Sequence, residues 1–136
     1  MTLRAPLLLV LLTLLFPVPY YAFEPSPCSQ PSSVRESLMR QAEQNQFTLR
    51  RVEFIGLTYT RDDVVRPRMT RFKDGGRTLS FNEGDLFSRY KLVQSLRSVS
   101  RLRSEIYPVR LSDVEVRLNQ SEKTIDMAIC FKPKRR

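Results

Sequence analysis

Between Thr48 and Ile55 apolar and polar residues alternate: Val52 and Phe54 point one way, Arg51 and Glu53 the other. A period of two is the mark of a half-buried strand, and this one ends in Gly56. Thr60-Arg61-Asp62-Asp63 has the spacing of a capping box, and Tyr59 can staple to Val64 across it. The helix this opens is predicted to be short or kinked, because Pro67 lacks the N–H that would bond back to Asp63. Asp74-Gly75-Gly76 is a turn signal, after which residues 78–81 read as a short strand or as loop. Two starts compete for the next helix, Asn82 and Ser88, with the helix running to about Arg103. Leu92, Val93, Leu96, Val99 and Leu102 recur at three- and four-residue spacing and give it one apolar face.

The clearest pattern comes last. Over residues 113–118, Val114, Val116 and Leu118 alternate with Glu115 and Arg117. Over residues 123–131, Ile125, Met127, Ile129 and Phe131 alternate with Asp126, Ala128 and Cys130. Residues 119–122 form the hairpin turn between them. The predicted class is α+β: a small three-stranded sheet, order β-α-α-β-β, with two helices on its apolar face and Cys130 on the wet one. A short extra helix precedes it, from Val34 to about Asn45, opened by a capping box at Ser33-Val34-Arg35-Glu36. Val34, Leu38 and Ala42 share one side of that helix.

The N-terminus changes the picture. Arg4 precedes an apolar run over residues 7–16 that Pro17 and Pro19 break, shorter than the about 20 apolar residues a bilayer span needs. It reads as the apolar part of a secretory signal peptide, residues 1–22, with cleavage after Ala22; an uncleaved anchor is the alternative. A proline- and serine-rich linker leads into the short helix, so residues 23–47 precede the folded module at 48–133, and 134–136 form a basic tail. In an exported chain Cys28 and Cys130 permit one disulfide, which would add roughly 4–5 kcal/mol by closing a loop of about 100 residues. The alternative is two thiols that never meet.

The formal net charge of +9 favours anionic partners. Export argues against nucleic acid and toward anionic lipid head groups or an acidic protein; a solvated basic surface that aids solubility is the bland reading. Arg89, Lys91, Arg97, Arg101 and Arg103 make the helix side opposite its apolar face basic. The chain has no histidine, so the commonest general base and metal ligand are missing. The acid pairs Asp62/Asp63 and Glu83/Asp85 read as helix-start charges. No enzyme, cofactor or metal site is expected.

The strand ending in Gly56, the helix after it, the Gly84-Asp85 turn into the basic helix and the closing hairpin together resemble a POTRA domain, the polypeptide-transport-associated module of outer-membrane assembly and secretion proteins. The resemblance covers about residues 48–133 and favours Ser88 as the helix cap. It departs at the insertion around residues 72–81, at Ile106-Tyr107-Pro108-Val109, and in that the sequence holds one such module. It implies a periplasmic protein-interaction module, associated with the outer membrane, whose partner is an outer-membrane protein or assembly-complex polypeptide. The resemblance places the partner-binding edge at Asp113, Val114, Glu115, Val116, Arg117 and Leu118, where extended segments would add as a strand. The rival expectation is a basic exported protein that binds anionic glycolipid or other polyanions through the five basic residues named above.

Overall fold

A computed structural model describes residues 28–57, 61–132 and 134. The segment predicted as signal peptide and most of the predicted linker, along with Tyr59 and Thr60, lie outside the described residues. The elements are α1 (Ser32–Gln44), β1 (Thr48–Ile55), α2 (Asp62–Thr70), β2 (Arg71–Asp74), β3 (Arg77–Ser80), α3 (Arg89–Ser100), a 3-10 turn (Leu111–Asp113), β4 (Val114–Asn119) and β5 (Thr124–Cys130). The class is α+β, as the alternation predicts.

The three-stranded sheet has the order β1-β5-β4. The last strand is therefore central, parallel to β1 and antiparallel to β4. A parallel pair needs a crossover, and α2, the β2–β3 hairpin and α3 supply it. Val114, Val116, Ile125, Met127 and Ile129 are buried on the helix side of the sheet, against Val65, Met69, Leu92, Leu96 and Val99. The opposite face carries Glu115, Arg117, Asp126 and Cys130, all at least partly exposed.

β1 contains a bulge that simple alternation misses. Its register slips between Leu49 and Arg51, so Arg50 is an extra residue. Leu49 and Val52 consequently both reach the core, while Arg50 turns out to meet Asp126 at 2.7 and 2.9 Å. Gly56 follows with φ of +87°. A Cβ there would sit 2.4 Å from the Phe131 carbonyl oxygen, so glycine is needed for both backbone angle and space.

Helix boundaries show where the local signals misled. Ser88 caps α3 by accepting the Lys91 N–H at 3.3 Å, and α3 ends at Ser100, not near Arg103. The N-cap of α2 is Arg61, one residue later than the Thr60 capping box predicts, and its side chain makes no cap bond. α1 begins at Ser32 after Pro31, again with no side-chain cap, so the Ser33 capping box does not form. Its inward face is Arg35, Met39 and Ala42, and Val34 is 45% exposed. On that face Arg35 donates to the Gln30 and Val114 carbonyls at the sheet edge. Asp113 likewise lies in the 3-10 turn before β4, where its carboxylate accepts the Arg110 N–H at 2.9 Å. Residues 77–80 resolve as a strand, because the Gly75-Gly76 turn folds them onto β2.

Candidate functional site

A three-stranded sheet leaves two rows of backbone donors and acceptors without a neighbouring strand. Among the described residues both rows are covered in part, by different means.

The outer row of β1 is closed by main chain at Leu49 and by side chains at Val52. The Leu49 N–H donates to the Asp85 carbonyl at 2.8 Å, and the Gly84 N–H donates to the Leu49 carbonyl at 2.7 Å. Further along, the Val52 N–H donates to Glu83 Oε1 at 3.1 Å, and Arg66 Nη2 donates to the Val52 carbonyl at 3.2 Å. Arg66 also holds Asp62 at 2.8 and 3.0 Å and stacks over the Phe54 ring at 4.3 Å. Its hydrogen bonds lower the Asp62 pKa below the usual carboxylate range. The loop over residues 83–87 is thus part of the fold that holds this edge.

The outer row of β4 is closed by side chains from the N-terminal segment. β4 directs the backbone N–H and carbonyl groups of Val114, Val116 and Leu118 outward, since those of the alternate residues pair with β5. Gln30 Nε2 donates to the Val116 carbonyl at 2.9 Å, and the Val116 N–H donates to Gln30 Oε1 at 2.8 Å. One side-chain amide thereby makes the bond pair that a residue of an adjacent strand would make. Arg35 Nη1 bridges the Gln30 carbonyl at 3.3 Å and the Val114 carbonyl at 3.5 Å. Arg35 is buried, and among the described residues it faces no carboxylate; its Nε has no hydrogen-bond partner. A buried guanidinium held only by carbonyls is an expensive cover. Beyond Val116, no hydrogen bond to the Leu118 backbone forms on this side among the described residues.

Cys28 anchors that segment. It is disulfide-bonded to Cys130, with Cα atoms 6.1 Å apart, inside the range such a bond spans. The Cys28 N–H donates to Glu115 Oε2 at 2.9 Å, so the segment crosses β4 to reach the central strand on the wet face. Glu115 also holds Arg117 at 3.4 Å. These two residues help line a groove of about 270 Å³ on that face, floored by Ala128.

The predicted edge residues 114–118 are therefore together on one strand, with Asp113 outside it. The five basic residues are not one surface. Arg89 is tied to Glu36 of α1 at 3.1 Å, and its N–H meets the Glu43 carboxylate, so it joins α1 to α3. Lys91 is half-buried, whereas Arg97, Arg101 and Arg103 are exposed with no ion pair among the described residues. Gln30 and Arg35 carried no signal in the sequence, because their partners are far away along the chain.

Among the described residues no cluster of histidine, cysteine or carboxylate side chains is arranged to hold a metal, and no helix is long and apolar enough to cross a membrane. No family model, curated protein or solved structure matches this chain.

Proposed function

We propose that this chain is an exported protein-interaction module that docks extended polypeptide segments by strand addition along the outer edge of β4. Its clients are polypeptides of the outer membrane or of the complexes that assemble there, met in the periplasm. Strand addition takes affinity from main-chain bonds and selectivity from alternate side chains. Here Val114, Val116 and Leu118 offer the main-chain groups, and Glu115 and Arg117 stand beside them on the wet face.

The observation that carries the reading is the pairing of Val116 with the Gln30 amide. This edge already accepts an amide in strand-like fashion, from a side chain that an incoming backbone can replace. On the other edge the Leu49 groups are already paired with main chain of the 83–87 loop, and the Val52 groups with the Glu83 and Arg66 side chains. Of the two, β4 is the edge a client can reach.

A second reading, polyanion binding, is favoured by the exposure of Arg97, Arg101 and Arg103. One titration separates them. The isotope-labelled chain is mixed with a neutral, end-capped peptide of alternating valine and threonine at millimolar concentration. Amide shifts at Val116 and Leu118 that persist in about 0.5 M salt, where the Debye length is only a few Å, are the expected result. Leu118→Pro removes an outward N–H while sparing the bonds to β5, so it should abolish those shifts in a chain that remains folded. Absence of any response on β4, together with salt-sensitive shifts at 97–103 on adding anionic lipid vesicles, would replace docking by polyanion binding.

A further inference from the structure

We infer that residues 28–35 are a latch on the β4 edge, closed by the Cys28–Cys130 disulfide and opened by its reduction. The inference rests on the docking reading above.

Gln30 is held from both sides. Just before it, Cys28 is bonded to the central strand; just after it, α1 begins and is fixed in the core by Met39 and Ala42. A side chain tethered at both ends competes with an incoming peptide at high effective concentration. Loss of one tether leaves it attached through α1 alone, and the competition weakens. The closed form also carries local costs. Cys28 sits at φ +78°, an unfavourable region for a residue with a Cβ, and Arg35 is buried without a carboxylate. Cys28 is held there by the bond to Cys130 together with the hydrogen bond from its N–H to Glu115. Its opening also releases the Glu115 carboxylate from the Cys28 N–H, returning to the edge one of its two charged side chains.

The opening step is thiol–disulfide exchange with a dithiol reductant. One thiolate attacks a sulfur of the Cys28–Cys130 bond, a mixed disulfide forms, and the other cysteine leaves as a thiolate that takes up a proton. The second thiol of the reductant then displaces the remaining cysteine. The protein gains two electrons and two protons, and the dithiol becomes a disulfide. Both cysteines are partly exposed, as the attack requires.

The test uses the full chain and two readouts. Affinity for the valine–threonine peptide is measured before and after treatment with dithiothreitol, and hydrogen exchange is followed at the Val116 and Ala128 amides. Reduction should tighten peptide binding by about tenfold or more and speed exchange at Val116, which faces Gln30, while Ala128, paired with β4, stays protected. Gln30→Ala, with the disulfide intact, should reproduce both effects, and it serves if the reduced chain unfolds. Unchanged exchange at Val116 would overturn the latch whatever the peptide does. Equal affinity in both redox states would overturn the latch and leave docking standing. Faster exchange with no binding in either state would show that docking itself is wrong, and the latch with it.

Discussion

The Gln30 side-chain amide and the Val116 backbone form a closed pair of hydrogen bonds, at 2.9 and 2.8 Å, between residues 86 positions apart. The pair covers the β4 edge at Val116 without a strand. Replacing Gln30 with alanine leaves the Val116 groups to water at a partly buried edge. We expect a loss of about 1 kcal/mol, the usual net worth of such bonds when water can substitute. Urea denaturation should show the midpoint shift, with an unchanged slope.

Gly56 and Gly75 both have positive φ, yet their surroundings differ. A Cβ on Gly56 would collide with the Phe131 carbonyl oxygen, whereas nothing lies within 4 Å of one on Gly75. Gly75→Ala should cost about 1 kcal/mol, from backbone angle alone. Gly56→Ala should cost more than twice that, because the end of β1 must also move away from β5. Thermal unfolding of the two variants side by side checks the ranking.

The orientation of α1 separates two further variants. Met39 is fully buried, while Val34 is nearly half exposed. Met39→Ala should destabilise by about 2–5 kcal/mol through the cavity it leaves. Val34→Ala should stay within about 0.5 kcal/mol of the parent, as surface changes usually do. Equal losses would mean that α1 is rotated from the position described.

Asp62 gives a pH signature. Its pKa is lowered, chiefly by the hydrogen bonds from Arg66, so its folded value lies below its unfolded one. The stability it contributes is thus present above the unfolded pKa, about 3.9, and lost as pH falls through the lower folded value. The difference in unfolding free energy between the parent and Asp62→Asn should be constant above about pH 5 and disappear below the folded pKa. Because the pair is half exposed, its size should be less than about 1 kcal/mol. A difference that persisted at low pH would assign the effect to packing, not charge.

Alternation along 114–119 and 124–130 and the period of α3 were legible in the sequence, because each depends on side chains a few residues apart. So was the choice of Cys130 as a wet-face residue, from its place in the β5 alternation. Local spacing, by contrast, left Asn82 and Ser88 equal as the cap of α3. Other features appeared only once the chain was folded: the Arg50 bulge, the turning of α1 to bury Arg35, the closing of β1 by residues 83–87 and the covering of Val116 by Gln30. The physical reason is common to all of them. Backbone groups at a sheet edge and at the end of a strand must find partners, and local sequence does not encode which distant segment will arrive to supply them. The polarity of Gln30 and Arg35 reads as linker and helix surface until β4 is beside them, and then it decides whether that edge is open.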